Sequence, residues 1–204
     1  MPPRGGSAAH ALASVEAIAA QLAQQGVHTV DAPMSDGPAR ARVGSMSLLV
    51  AGADAAVARC EPLLQALSNK VFLISERPGD GARTKLVNNV LAGINLVGSA
   101  EVMALARRMG LDLEHALDVI GQSSGQSWVG TDRMRSAITG DWAPCARMAL
   151  LVKDTRLAQE RAQSVGFEGP LGPLAVRVFA AALDAGLADL DAAALLQFLE
   201  RQQL

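Results

Sequence analysis

Tyrosine is missing from this 204-residue sequence, and phenylalanine and tryptophan together bring the aromatic share only to 3%. That removes the stacking platforms on which single-stranded nucleic-acid binders hold bases. Cysteine is almost as scarce: Cys60 and Cys145 lie far apart, so neither a disulfide framework nor a CxxC metal motif is expected, and a reducing, cytoplasmic setting fits. His10, His28 and His115 have no ligand spacing between them, whereas a zinc site needs three or four converging ligands; no metal is expected. Blocks of one charge are lacking too. The 18 Lys+Arg and 20 Asp+Glu are scattered and leave a net charge of −2, which offers no footprint for nucleic acid or an anionic membrane surface. No apolar stretch runs uninterrupted for the roughly 18 to 20 residues of a membrane span, and none precedes His10, so a soluble chain is predicted. Nothing ties a serine, a histidine and an aspartate together, which gives hydrolase chemistry little support.

Apolar residues, in contrast, are plentiful. A 50% hydrophobic share and a mean hydropathy of +0.22 can fill one large core or two modest ones. Ser7 to Gln25 reads as a helix, with Leu12, Val15, Ile18, Ala19 and Leu22 on one face and Gly26 as its stop. Val27–Asp31 reads as a strand, residues 32–38 as a turn-rich loop, and Ser45–Ala51 as a second strand. A helix over Asp54–Leu67 and a third strand over Lys70–Ile74 complete an α/β portion. From about residue 82 helical patterns dominate, broken near 110, 121, 140, 166–173 and 186. The boundary is placed in Glu76–Gly81, dividing the chain into 1–78 and 79–204, with a long helix from about 82 to 109 linking the two portions.

Chemistry concentrates just after that boundary. Gly79-Asp-Gly-Ala-Arg-Thr-Lys85-Leu-Val-Asn88-Asn89 sets a lysine and two amides behind a glycine turn. On a helix Lys85 and Asn89, four apart, share a face. An ammonium beside a carboxamide can exchange a proton with a substrate oxygen that the amide holds in place.

Several motifs in fixed order resemble the β-hydroxyacid dehydrogenase family, the group of 3-hydroxyisobutyrate dehydrogenase. Asp31-Ala-Pro-Met-Ser35-Asp-Gly37 is similar to its Asp-Ala-Pro-Val-Ser-Gly-Gly substrate loop, and Gly44 to Gly52 to the Gly-Thr-Leu strand that follows. Gly79–Asn89 fits its Gly-x-Gly-x-x-x-Lys-x-x-Asn-Asn signature; Gly140-Asp-Trp-Ala-Pro144 and Lys153-Asp154 resemble elements of its helical domain. Coverage runs from about residue 10 to about 185. The resemblance implies a partial Rossmann-like α/β portion, then a helical domain like the C-terminal domain of 6-phosphogluconate dehydrogenase. It implies Lys85 as proton donor and acceptor, Asn89 holding the reacting oxygen, and Ser35, Asp36 and Gly37 at the substrate carboxylate. Lys153 would reach an NAD or NADP cofactor, and hydride would pass between the nicotinamide and a small hydroxyacid or semialdehyde. Association into a homodimer or homotetramer through the helical domain is implied as well.

The departures from the family pattern also count. Gly-x-Gly-x-x-Gly after a first strand is missing, and the Gly5-Gly6 pair follows no strand, so most of the Rossmann half is expected to be lacking. Asp36 replaces a glycine beside the carboxylate-binding serine. Two like charges about 5 Å apart at an effective dielectric near 20 repel by about 3 kcal/mol, so Asp36 would select a less anionic substrate or mark a site out of use. Ala146 stands where the family has a phenylalanine. Three readings follow: an NAD(P)-dependent hydroxyacid dehydrogenase, a non-catalytic helical dimerisation fragment of one, or an imine or other carbonyl reductase of the same superfamily. Taken singly, Lys85 is a solvated lysine on a first turn, Ser35 a turn serine, and Lys153-Asp154 a helix charge pair.

Overall fold

A computed structural model describes residues 8–201, except for the side chains of 8–14, 38 and 39. The Gly5-Gly6 pair, Ser7 and the side chain of His10 lie outside the described residues. The chain separates into two compact units, Met1–Asn88 and Asn89–Leu204.

In the first unit α1 (Ala8–Ala23) stops where the sequence places a breaker, and Gly26 takes φ +73° in the turn that follows. The strand predicted over Val27–Asp31 does not form. Residues 27–30 are irregular, and only Asp31 pairs, in an isolated antiparallel bridge to Ala51. The predicted loop contains short regular pieces instead: β1 (Met34–Ser35) and α2 (Gly37–Arg42). β2 (Ser47–Ala51), α3 (Asp54–Leu67) and β3 (Lys70–Ser75) form a strand–helix–strand unit, and α3 runs over the residues read from its pattern. The sheet order is β1-β2-β3, with β1 antiparallel and β3 parallel to the central β2. Being central, β2 is apolar on both faces: Leu48, Leu49, Val50 and Ala51 are all buried. Leu48, Val50, Met46 and Leu64 make the small core. Buried Ser68 ends α3, its hydroxyl donating to the Met46 carbonyl and accepting from the Lys70 N–H at 3.0 Å.

α4 (Asp80–Arg108) is a single 29-residue helix that begins in the first unit and continues into the second. It is long and apolar enough, by length and composition alone, to cross a membrane. Its buried residues Leu96, Val97, Ala100 and Met103 instead furnish the centre of the second core. Around them stand α5 (Leu113–Gly121), α6 (Trp128–Ile138), α7 (Met148–Ser164), α8 (Leu171–Ala182) and α9 (Leu195–Arg201). Caps explain two of the starts: Asp112 accepts from the His115 N–H at 2.8 Å and Ser127 from the Gly130 N–H at 3.1 Å. The break near 186 is a π-type turn over Leu183–Leu187 in which Gly186 takes φ +86°. Leu117, Met134, Met148, Phe179 and Leu195 fill the rest of the core.

Candidate active site

The Asp31–Gly37 loop owes its shape to two consecutive left-handed residues. Asp36 has φ +84° and Gly37 +76°, and Asp36 is the one non-glycine with positive φ among the described residues. Left-handed backbone costs a residue with a Cβ about 1–2 kcal/mol, and aspartate is among the few side chains that offset it locally. Here the carboxylate does so by accepting a 2.7 Å hydrogen bond from the Ser47 hydroxyl of β2. Half-buried Ser35 sits beside it in β1, in register with Ser47.

The loop is fixed to α4 by a residue that the sequence reading passes over as part of a motif. Asp31 Oδ2 accepts the backbone N–H of Gly79 at 3.1 Å and of Ala82 at 3.0 Å, occupying donors that a helix start leaves without partners. Gly81 is the necessary complement. A Cβ there would run into the Leu49 carbonyl and lie 3.1 Å from both Asp31 Oδ2 and Pro33 Cδ. The side-chain signal was an aspartate 48 residues before a helix N-terminus, a separation no local pattern can read. Farther along the helix, the exposed Asn88 amide donates to Ser35 Oγ at 3.5 Å, a long contact.

Asp80 stabilises the same helix start from the other side. Its carboxylate accepts from the Ser75 hydroxyl at 2.7 Å, from Arg83, and from Arg77 at 3.3 Å. These bonds, Ser75 first, hold its pKa down at about 2. Arg83 is in turn held above its ordinary value, by Asp80 first and by its ion pair with Glu16 in addition.

Lys85 is half-buried on the second turn of α4, and Asn89 follows one turn later. Asn89 Nδ2 donates to Asp154 Oδ2 of α7 at 3.2 Å, which fixes the amide's orientation. Lys153 is exposed; of the Lys153-Asp154 pair, it is the aspartate that meets Asn89. The structure thus brings Ser35, Asp36, Gly37 and Asn88 together in the first unit, and Asn89 with Asp154 in the second. Ala146 is a backbone anchor. Its N–H and that of Cys145 both donate to buried Asp191 Oδ2 at 2.8 Å, and the Ala193 N–H donates to Oδ1 at 2.9 Å. Ser127 is the N-cap of α6.

A dinucleotide needs backbone donors for its pyrophosphate, normally at a glycine turn between strand and helix. The β3–α4 turn, Gly79-Asp-Gly81, has that form, but the Asp31 carboxylate already occupies its amides and Asp80 adds a second negative charge. At this turn the Gly79 and Ala82 N–H groups are therefore not free to meet a phosphate. A cavity of about 530 Å³ in the first unit, walled by α1, residues 27–29 and residues 76–78, is lined by neither Ser35 nor Lys85. No three His, Cys, Asp or Glu side chains among the described residues group to hold a metal.

Two family models match the chain. Residues 79–199 match the NAD-binding domain of NADP-dependent 3-hydroxyisobutyrate dehydrogenase, and residues 6–75 the NAD-binding domain of 6-phosphogluconate dehydrogenase. An L-threonate dehydrogenase of Escherichia coli O6:H1 is 36% identical over 187 residues, covering 92% of this chain and 62% of its own. A 3-hydroxyisobutyrate dehydrogenase from Salmonella typhimurium superposes with a TM-score of 0.84 at 34% identity, over 92% of this chain and 66% of its own. Psf3, solved with NADP+ and 2-OPP, gives 0.83 at 29% identity, again over 92% and 66%. The chain thus spans less than two thirds of the length of these relatives.

Proposed function

Because this chain belongs to the 3-hydroxyisobutyrate dehydrogenase family of β-hydroxyacid dehydrogenases, we propose that it acts in NAD(P)-dependent interconversion of a small hydroxyacid and its semialdehyde. One observation carries the proposal: α4 presents half-buried Lys85 and, one turn on, an Asn89 whose amide is already oriented by Asp154. When bound, the nicotinamide supplies or accepts the hydride. The chain's own residues do the rest. Lys85 takes the proton from the substrate hydroxyl during oxidation and returns it during reduction, and Asn89 holds that oxygen within reach. Ser35 and the backbone through Gly37 receive the carboxylate, and Lys153 takes the cofactor's side.

Asp36 has an additional role in this scheme. Its charge is spent partly on Ser47, which keeps the carboxylate turned toward β2 and supports a substrate whose anion sits at Ser35 rather than at residue 36. The division into 1–78 and 79–204 is retained as the functional one, supported by the separate family matches over 6–75 and 79–199. A cytoplasmic setting is supported by two free cysteines, and self-association by the apolar side chains that α4 leaves exposed.

A second reading is favoured by the occupied amides at the start of α4: the chain folds without taking up a dinucleotide by itself. Calorimetric titration with NADH and with NADPH separates the two. Binding at about micromolar strength supports the dehydrogenase; the absence of heat with either nucleotide supports the second reading.

A further inference from the structure

Gly93 lies inside α4, buried and without a positive φ. A glycine in the middle of a helix weakens it relative to alanine, and in ordinary helical backbone its conformational freedom goes unused. What it supplies here is room. A Cβ at this position would stand 2.8 Å from Thr155 Cγ2 of α7 and 3.6 Å from Phe179 Cε2 of α8. The second distance is an ordinary contact, whereas the first lies well inside the separation that two carbons prefer, about 3.5–4.0 Å.

The Thr155 methyl is not free to turn aside. Thr155 is buried, and its hydroxyl donates to the Leu151 carbonyl, one turn back on α7, at 2.8 Å. Rotation about χ1 that carried the methyl away would also carry the hydroxyl off this carbonyl and leave a buried donor without its partner. The methyl therefore acts as a fixed spacer against the bare Cα of Gly93.

The same helix contact holds a residue of the candidate site. Asn89 is one turn before Gly93 on the same face of α4, and Asp154 is the chain neighbour of Thr155. The bond from Asn89 Nδ2 to Asp154 Oδ2 is 3.2 Å long. Relieving a 2.8 Å carbon–carbon contact parts the two helices at this point by about 0.7 Å or more. The amide and the carboxylate would then lie beyond about 3.6 Å, where no hydrogen bond holds.

We propose that Gly93 is a positioning residue: its missing side chain, gauged by the Thr155 methyl, sets the approach of α7 to α4 at which Asp154 orients the Asn89 amide. The inference rests on the reading of Asn89 as the group that holds the reacting oxygen, and it adds the contact that aims that group. Gly93 and Thr155 themselves take no part in the chemistry.

Gly93→Ala, Thr155→Ser and the two combined, each in the full chain, form the test. Serine lacks Cγ2 and keeps the hydroxyl, so the combined variant returns the room that alanine takes. Two quantities are read: kcat with small hydroxycarboxylates and NAD+ or NADP+, and the side-chain amide signals of Asn89 in proton–nitrogen correlation spectra, assigned by their loss in Asn89→Ala. Gly93→Ala should lower kcat by about a hundredfold, the effect of misplacing a holding group by about 1 Å, and should shift the Asn89 signals. Thr155→Ser alone should leave both at wild type, and the combined variant should restore both. A substitution that only lowers stability keeps the Asn89 signals of the folded state. If Gly93→Ala does not fold, the combined variant decides: wild-type Asn89 signals in it support the spacer, and displaced signals overturn it. Unchanged signals in folded Gly93→Ala, or signals that stay displaced after Thr155→Ser is added, overturn the proposal. Signals that shift and return in a chain without turnover support positioning by Gly93 and overturn the dehydrogenase reading instead.

Discussion

At Asp36 a side chain occupies backbone that favours glycine, and what it does there is set by a single hydrogen bond to Ser47. Two substitutions separate the terms. Asp36→Ala keeps the left-handed cost and loses the bond, so urea unfolding should report about 1–2 kcal/mol of destabilisation. Asp36→Gly loses the bond but also the cost and should remain within about 0.5 kcal/mol of wild type. A second residue-scale prediction concerns acid. Asp80 has a folded pKa of about 2, below the unfolded 3.8, so its contribution is fully present above about pH 4 and is lost as pH falls through about 2. Asp80→Asn should narrow the stability gap to wild type over that window and leave the remaining pH profile unchanged. The lysine, the asparagine and the serine proposed for the site stand out in their motifs. Asp31 was legible only as a letter in it, because its partners are amides 48 and 51 residues away.

Among the elements, α3 was readable because apolar residues at helical spacing and a flanking breaker fix a helix independently of what it packs against, and α4, apolar on both faces, was readable from its length between breakers. Val27–Asp31 shows the converse. Its β-branched Val27, Thr29 and Val30 suit a strand, but a strand is defined by its partner, and only Asp31 finds one, in Ala51. The start of α4 depends on long-range contacts in the same way. Asp31→Ala should cost about 1–3 kcal/mol and expose the Gly79 and Ala82 amides to faster hydrogen exchange. Gly81→Ala, which forces a Cβ onto the Leu49 carbonyl, should cost at least as much. In the helical unit, buried Asp191 holds the 140–147 segment through the Cys145 and Ala146 N–H groups and accepts a third from Ala193, with an Arg133 guanidinium 3.6 Å away. Asp191→Ala should destabilise the chain by about 3–5 kcal/mol in chemical denaturation.

On the scale of the whole molecule, the fold class and the family were both legible, since several motifs occur in fixed order along the chain. The compact units part at Asn88, and α4 runs through that point without interruption. One face of this helix carries the functional account, the face of Lys85 and Asn89. The most direct measurement is steady-state reduction of NAD+ and NADP+ by the 204-residue chain with a panel of small hydroxycarboxylates, wild type against Lys85→Ala. The account predicts turnover that falls by about 10²–10⁴-fold in the variant while the chain stays folded. Turnover that survives Lys85→Ala, or none in the wild type with either nucleotide, would contradict it.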